Sequence, residues 1–327
     1  MAKCLRIPYI VCVATLATLF VSCARTPTPA PTPASLTVSG SSAMTPLLAL
    51  LAERFEAGHP SITVIIDSGN SAQGMAEVAD GSAALGALSV PAPQGAWAAP
   101  EKAWAAPIAV DGIAIVVHPD NPLENLTLMQ LYDIFYGRVW HWSELGIKVA
   151  ADEIAVVSRE EGSGTRAVFE ALVMTRNRTS PADCEPVLMV TPGSRSGDDA
   201  LPEASLCEGD PVTSMAVVML GSAAVIEFVA MHPGAIGYVS HGTLSAQARW
   251  SVAPPQSVAA AQVRAVHVED VPPDPKRIAD GSYYLSQPFF LVALQEPTGS
   301  ARLFVDFCLS AEGQATVAQQ YLPVRER

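Results

Sequence analysis

The segment 159–166 brings a cation, several hydroxyl groups and two glycines to one point of the chain. Arg159 can donate two parallel hydrogen bonds to a tetrahedral anion, because its guanidinium is planar and forked. The glycines let backbone N–H groups converge, and the hydroxyls of Ser163 and Thr165 add further donors. This combination of groups is typical of a site that holds a small oxyanion.

Sequence patterns on both sides of this segment predict the elements that would aim its donors. The apolar residues 154–157 indicate a buried strand, and the spacing of apolar residues over 168–173 indicates a helix. A helix that begins at such a turn presents unpaired N–H groups at the positive end of its dipole, where anions bind. The alternative interpretation is an ordinary strand, turn and capped helix without a ligand.

Three further turns repeat this design. Residues 40–42, 68–74 and 221–222 are rich in glycine and serine, and each precedes a helical pattern. A single turn of this kind carries little weight, because Gly and Ser are common in all loops. Four of them predict that several helix N-termini meet in one cleft.

Length and composition indicate a two-lobed α/β protein. The chain has 327 residues, about twice the usual domain size, and half of its residues are apolar. Strand and helix patterns alternate along it, which favours a parallel α/β sheet. The formal net charge of −13 disfavours nucleic acid as a partner, since phosphate backbones require clustered Lys and Arg. A small anion is not excluded, because distant surface charges are screened.

The N-terminus predicts export and a lipid anchor. Two cations precede the apolar run 7–21, which is short for a membrane span and typical of a secretory signal over residues 1–22. Residues 19–23 resemble a bacterial lipobox, in which Cys23 is lipidated and becomes the mature N-terminus. The proline-rich stretch 23–35 would extend the globular part away from the membrane surface. A plain cleaved signal and an uncleaved anchor are the alternatives.

The other cysteines suggest one disulfide and no metal site. Cys184 and Cys207 flank a loop-like stretch, and an oxidising compartment would let them pair. Cys308 lies among apolar residues, so we interpret it as a small core residue. The spacing of cysteines and histidines does not match a metal site, and no cofactor is expected.

Several segments of the chain, taken in order, match one protein family. They are 40–42, 68–74, 111–117, 134–137 with Trp142, 159–166, 233–239 and 284–288. Together they span almost all of residues 36–327. On these segments the chain resembles the PstS-like phosphate-binding receptors of ABC importers, a branch of the periplasmic binding protein superfamily.

The resemblance implies a fold and a transport function. The fold would be the type II periplasmic-binding-protein fold, in which two α/β lobes are joined by two hinge crossings. Lobe 1 would comprise residues 36–111 plus 285–327, and lobe 2 would comprise residues 112–284. An inorganic oxyanion would be captured between the lobes and passed to an ABC permease in the cytoplasmic membrane. The receptor would act in the periplasm or at the cell surface, held there by its lipid.

The resemblance also implies which residues contact the ligand. Carried over position by position, these are Ser42, the backbone of Ala43, Ser71, Ser89, Arg159, Ser163, Gly164 and Thr165. Glu161 matches an acidic residue that lies close to the arginine in the family. Such a carboxylate could orient the guanidinium and temper the positive charge of the site.

One position departs from the family. The phosphate receptors have an aspartate where this chain has Ser89, and that carboxylate accepts a hydrogen bond from the proton on phosphate. Sulfate has no such proton, so the loss of the carboxylate removes one source of discrimination. A serine can donate or accept, and the expected ligand is therefore phosphate or a similar tetrahedral oxyanion. Asp67 or Asp111 could supply another acceptor.

Two other functions stay open as alternatives. A serine hydrolase would need a histidine base near Ser163, but none of the six histidines is placed for that role, so no enzyme is expected. The second alternative is a surface lipoprotein that uses the same fold for sensing or for contact with another macromolecule, without import.

Overall fold

The computed structural model describes residues 34–90, 103–175, 210–250 and 263–324. The predicted signal peptide, Cys23 and most of the proline-rich stretch lie outside these residues, as do Cys184 and Cys207. Cys308 is buried in the core, as predicted. Within the described ranges, no helix has the length and apolar character that crossing a membrane requires.

Strands and helices alternate through most of the described chain, which confirms the predicted α/β class. The strands are β1 Ala34–Ser41, β2 Ile62–Gly69, β3 Leu85–Leu88, β4 Trp104–Val117, β5 Asn125–Leu126, β6 Ala155–Arg159, β7 Val217–Met219, β8 Ala235–Ser240, β9 Arg264–Val268, β10 Ser286–Ala293 and β11 Leu322–Pro323. The helices are α1 Thr45–Gly58, α2 Ser71–Asp80, α3 Leu128–Tyr136, α4 Gly164–Val173, α5 Gly221–Met231, α6 His241–Trp250, α7 Pro275–Ala279, α8 Gly299–Leu309 and α9 Ala311–Val317, with a 3-10 helix over Trp142–Leu145.

The long strand β4 joins two halves of one sheet, whose main strand order is β2-β1-β3-β10-β4-β8-β6-β7. Residues 104–112 of β4 pair antiparallel with β10, and residues 113–117 pair antiparallel with β8. β1 lies parallel between β2 and β3, and β6 lies parallel between β8 and β7. Parallel neighbours end at the same edge of a sheet, so the turns that follow them lie side by side in each half.

Two main groups of buried apolar side chains follow the two halves of the sheet. The first, which includes Phe55 and Phe304, draws on residues 36–109 and 289–324. The second, which includes Phe169 stacked on Tyr238, draws on residues 113–285 apart from Val90. This division supports the lobe boundaries near 111 and 285, which we retain as a proposal.

Helices begin at each of the four glycine- and serine-rich turns, as the sequence predicted. At the start of α2, the Asn70 side chain accepts a hydrogen bond from the N–H of Gln73 at 2.9 Å. At the start of α4, Ser163 Oγ accepts from the N–H of Arg166 at 3.3 Å. Side-chain caps of this kind satisfy one of the otherwise unpaired N–H groups of the first turn. The first turn of an α-helix has four such N–H groups, so these two caps leave others for further partners.

Candidate anion-binding site

The starts of α1, α2, α4 and α5 lie together where the two halves of the sheet meet. The N–H of Ser222, at the start of α5, donates to Ser42 Oγ at 3.3 Å, just before α1. The N–H of Ala72, in α2, donates to the carbonyl oxygen of Gly162 at 3.1 Å, just before α4. Four positive helix ends therefore surround one buried region, which is a favourable environment for an anion.

Arg159 supplies the cation of this region and is only 1% exposed. It is the last residue of β6, and its backbone N–H donates to the hydroxyl oxygen of Tyr238 at 3.3 Å. Its side chain reaches the other half of the protein, where Nη2 donates to Ser42 Oγ at 3.3 Å. Because water is excluded here, the guanidinium would interact far more strongly with a bound anion than it would at the surface.

Most of the donors of Arg159 are already engaged. Nε and Nη2 donate to the two carboxylate oxygens of Glu160, both at 2.8 Å. Nη2 also donates to Ser42, and Nη1 donates to Ser222 Oγ at 3.2 Å. A guanidinium has five N–H groups, and these contacts use four of them, so one N–H of Nη1 remains free to bind a ligand. The hydroxyl groups of Ser42 and Ser222 accept in these contacts, so each still has a proton to donate. An anion would therefore meet Nη1 and the two serines rather than the Nε–Nη2 edge.

Glu160, not Glu161, is the carboxylate beside Arg159, so the sequence prediction for Glu161 is wrong. Glu161 is exposed, whereas Glu160 is buried and also accepts from the N–H of Gly221 at 3.2 Å. The chain turns directly after β6, which folds the next side chain back onto the guanidinium. Burial opposes ionisation of Glu160, but the hydrogen bonds and charge of Arg159 outweigh it, and the pKa of Glu160 is lowered.

Three buried serines, Ser41, Ser71 and Ser89, lie together, and Ser89 is the position at which the family resemblance implies an aspartate. Ser41 Oγ donates to Ser89 Oγ at 2.9 Å, and the N–H of Ser89 donates to Ser71 Oγ at 3.2 Å. Gly164 packs directly against them across the cleft: a Cβ at this glycine would lie 2.5 Å from Ser71 Oγ and 2.6 Å from Ser89 Oγ. The hydroxyls therefore present a neutral, donor-capable surface to the start of α4.

Two residues at the edge of this region hold donors that lack a partner. Thr165 is 1% exposed, and its Oγ1 has no hydrogen-bond partner within the described part of the chain. Ala43 is fully buried, and its N–H has no acceptor among the hydrogen bonds of the described residues. Buried polar groups are rarely left unpaired in native proteins. An anion held between the helix starts would supply the acceptors that both groups need.

All eight contact residues predicted from the sequence lie in this region, and their contact with a ligand stays a prediction. Ser222, whose Oγ accepts from Arg159, is not among the predicted contact residues, although the turn 221–222 is one of the predicted helix starts. The available signal was a Gly-Ser pair directly before a helix, but the sequence does not show which partner such a serine meets. The two aspartates suggested as substitutes for the family carboxylate lie elsewhere, because Asp67 is exposed and Asp111 is bonded at the start of α6.

Asp111 is a buried carboxyl group where β4 passes from one half of the sheet to the other. It accepts hydrogen bonds from Ser240 Oγ and, at 3.1 Å, from the N–H of Gly242. Ser240 Oγ also lies 3.5 Å from the carbonyl oxygen of Ala43. Burial raises the pKa of Asp111 to about 7, although these hydrogen bonds act in the opposite direction. This carboxyl group therefore connects β4 to the start of α6 through hydrogen bonds. Through Ser240 it also lies close to the turn that precedes α1.

We expect Asp111→Asn to remove a pH dependence of the free energy of unfolding. The raised pKa means that the folded protein holds a proton that the unfolded chain, ionising near 3.8, has lost. Wild-type stability should therefore fall as the pH rises from about 4 to about 7, and this loss should be complete above that range. Asparagine can keep both contacts, because its amide oxygen can accept from the N–H of Gly242 while its NH₂ group donates to Ser240 Oγ, so the variant should melt higher than wild type at pH 8.

Differential scanning calorimetry at pH 5 and pH 8 checks this expectation. The melting-temperature difference between Asp111→Asn and wild type should be clearly larger at pH 8 than at pH 5. The exposed Asp67→Asn serves as a control and should show no such change. A wild-type-to-variant difference that is the same at both pH values would contradict the assignment.

Comparisons with known sequences identify the family. A family model described as a PBP superfamily domain matches residues 26–312. The phosphate-binding protein PstS of Bacillus subtilis is 28% identical over 294 residues, which cover 89% of this chain and 81% of that protein. The phosphate-binding protein PstS 2 of Streptococcus agalactiae is 33% identical over 108 residues, which cover 33% of this chain and 36% of that protein.

Solved structures share the fold over both halves of the sheet. A proposed phosphate ABC transporter substrate-binding protein from Clostridium perfringens, solved with phosphate, has a TM-score of 0.67 and 28% identity, covering 89% of this chain and 100% of that one. An ABC-type phosphate transport receptor from Vibrio cholerae has a TM-score of 0.59 and 25% identity, covering 88% and 99%. These relatives are binding proteins, in agreement with the prediction that the chain is not an enzyme. The predicted fold type is confirmed, and the chain belongs to the PBP superfamily.

Proposed function

We propose that the protein captures inorganic phosphate between its two halves and delivers it to an ABC permease in the membrane. The observation that carries this proposal is the buried Arg159 among four helix starts, with Thr165 Oγ1 left without a hydrogen-bond partner among the residues that the structure describes. The relatives named above, which are phosphate-binding and phosphate-transport proteins, support the same ligand and the same kind of partner.

Capture would depend on closure, because the donors come from both halves. Ser42 and Ser71 lie in the half that contains β1, whereas Arg159 and Thr165 lie in the half that contains β6. An anion that accepts hydrogen bonds from both sets stabilises the closed arrangement over an open one. The carboxylate of Glu160 reduces the net positive charge of the site, which keeps release to a permease feasible.

The ligand range extends to other tetrahedral oxyanions in this proposal. A carboxylate in place of Ser89 would repel an anion that carries no proton, whereas the hydroxyls of Ser71 and Ser89 can donate to it. Selection for a protonated anion is therefore weakened. Phosphate is the expected ligand, and sulfate is expected to compete with it.

Calorimetric titrations with phosphate and with sulfate test both statements. Wild type should bind phosphate, and its affinity for sulfate should lie within about tenfold of that value, a free-energy difference of about 1.4 kcal/mol. Ser89→Asp should lose sulfate binding by at least about 100-fold while keeping phosphate binding, because like charges across a buried contact cost several kcal/mol. Ser82→Asp adds the same charge at an exposed site and should change neither affinity.

Two results would contradict the proposal in different ways. If wild type gives neither heat nor thermal stabilisation with phosphate, capture of phosphate is wrong. If wild type binds phosphate but rejects sulfate as strongly as Ser89→Asp does, the buried serines Ser41, Ser71 and Ser89 do not determine which oxyanions bind.

The location of the protein is also part of this proposal. A receptor that serves a permease acts outside the cytoplasmic membrane, and the lipobox pattern supports a lipid anchor at Cys23. The pairing of Cys184 with Cys207 stays a prediction of the same kind, since it requires an oxidising compartment.

A further inference from the structure

A groove of about 950 Å³ adjoins the anion site and forms the mouth of the cleft between the two halves. Ser42 and Ser222, whose hydroxyl groups accept from Arg159, line this groove. The proposed anion contacts in α4 do not line it, so an anion held at Arg159 would have α4 on one side and the groove on the other. A volume of this size is in the range of sites that hold small organic molecules, and it far exceeds what an inorganic anion fills.

Apolar side chains line the groove in both halves of the protein. Pro46 and Leu50 lie in α1, which begins shortly after Ser42. In the other half, Leu220 directly precedes the turn that holds Ser222, and its side chain is 78% exposed. Exposed apolar groups beside a binding site favour contact with an apolar part of the ligand, because this contact removes both surfaces from water. Each half therefore places apolar surface next to a serine of the anion site.

The charges along the groove indicate that the apolar part of a ligand would carry no second negative group. The described residues of the lining include neither Lys nor Arg. Both oxygens of the Glu160 carboxylate already accept from Arg159, and Glu53 is exposed, so water screens its charge. The described lining thus offers no cation to pair with a carboxylate or a second phosphoryl group, whereas an uncharged chain requires none.

The anion site itself suits an oxyanion that carries no proton. Ser41, Ser71 and Ser89 hydrogen-bond to one another, and no carboxylate is among their side-chain partners within the described ranges. Ser71 and Ser89 can donate to a ligand oxygen. A phosphate monoester loses its last proton with a pKa of about 6, so above that pH all its terminal oxygens accept hydrogen bonds. Its ester oxygen, which carries the organic chain, can be directed at the groove.

We propose that the same site also binds phosphate monoesters with a short uncharged aliphatic chain, which place their phosphoryl group at Arg159 and their chain in the groove. The groove is present while the N–H of Ser222 donates to Ser42 Oγ across the cleft, so a chain in it is compatible with contact between the two halves. This inference rests on the proposed function, because the phosphoryl group uses the oxyanion site of that proposal. It adds an organic class of ligand to that site.

Calorimetric titration of the purified protein at pH 8 with inorganic phosphate, methyl phosphate and butyl phosphate tests the inference. Butyl phosphate should bind at least about fivefold more tightly than methyl phosphate, because each added methylene group covers part of the apolar wall. Carboxypropyl phosphate, whose chain ends in a second negative group, should bind at least about fivefold more weakly than butyl phosphate. Butanol, which lacks the phosphoryl group, should give no heat at the same concentrations.

Substitutions in the wall locate the chain of the ester. Ala246→Trp places a large side chain in the groove, so it should weaken butyl phosphate binding at least about tenfold and change inorganic phosphate binding by less than about threefold. Leu220→Ser removes exposed apolar wall and should weaken butyl phosphate binding about threefold without affecting methyl phosphate. It reads the groove independently if Ala246→Trp does not fold. The matched control Met231→Ser changes another exposed apolar residue of the same region, outside the groove, and should bind both esters as wild type does.

The outcomes separate this inference from the proposed function. A protein that binds inorganic phosphate but not butyl phosphate would overturn the inference and leave the proposed function standing. Equal affinities for methyl and butyl phosphate, or equal effects of Leu220→Ser and Met231→Ser, would show that the groove does not hold the chain. A protein that binds butyl phosphate but not inorganic phosphate would support the inference and overturn capture of inorganic phosphate. Binding of neither would overturn both.

Discussion

Replacing Arg159 with alanine is expected to weaken phosphate binding by at least about 100-fold, or about 2.7 kcal/mol. Hydrogen bonds to a charged group contribute about 1.5–3 kcal/mol each, and the substitution removes the Nη1 donor that faces the ligand. It also leaves the carboxylate of Glu160 buried beside the anion without its cation. The loss should therefore exceed what a single hydrogen bond contributes.

Two further variants isolate the cause of this loss. Arg302→Ala removes an exposed arginine of α8, whose Nε donates to Asp306 at 2.9 Å, and it should change phosphate affinity by less than about threefold. The double variant Arg159→Ala with Glu160→Gln removes the unpaired carboxylate as well, and it should recover part of the affinity lost by Arg159→Ala alone. Calorimetric titration measures all three proteins. A phosphate affinity of Arg159→Ala within about threefold of wild type would show that the site has been placed wrongly.

Gly164→Ala is expected to reduce phosphate affinity by about 10- to 100-fold, through closure rather than through a lost contact. The new methyl group would lie 2.5 Å from Ser71 Oγ and 2.6 Å from Ser89 Oγ, which both belong to the other half of the protein. Within α4 itself alanine is a better helix former than glycine, so the half that carries the change should not be destabilised. The overlap arises only when the two halves meet.

This mechanism predicts that Gly164→Ala lowers the affinity for phosphate without lowering the stability of the protein. Without phosphate, Gly164→Ala should unfold at the same denaturant concentration as wild type or slightly above it, while its titration with phosphate shows the loss. Gly58→Ala is the matched control, because a Cβ at Gly58 meets no atom within 4 Å. Its phosphate affinity should equal that of wild type. A Gly164→Ala protein that binds phosphate as tightly as wild type would mean that the halves close in a different register.

Local features of the site could be predicted because their causes are local. The spacing of apolar residues after Gly164 depends on neighbours within one helical turn, and the helix that it predicts is confirmed. The alternation of strands and helices follows from the same short-range patterns. The side-by-side placement of the turns follows from parallel strand pairing once that alternation is known.

Other features depend on partners that are distant in the sequence, and the sequence carries no signal for them. Asp111 and Ser240 are 129 positions apart, and nothing at either position indicates the other. The family resemblance implied Glu161 beside Arg159, and this prediction is wrong, because Glu160 is the residue whose carboxylate meets the guanidinium.

The central claim is that an oxyanion lies enclosed among these helix starts, in contact with Arg159. Arsenate has the shape and charge of phosphate, and its arsenic atom can be located in crystals by anomalous scattering. We expect one arsenic site whose oxygens lie about 3 Å from Arg159 Nη1 and from Thr165 Oγ1, the usual length of a hydrogen bond. An arsenic peak outside the cleft, with Thr165 Oγ1 still unpartnered, would contradict this account.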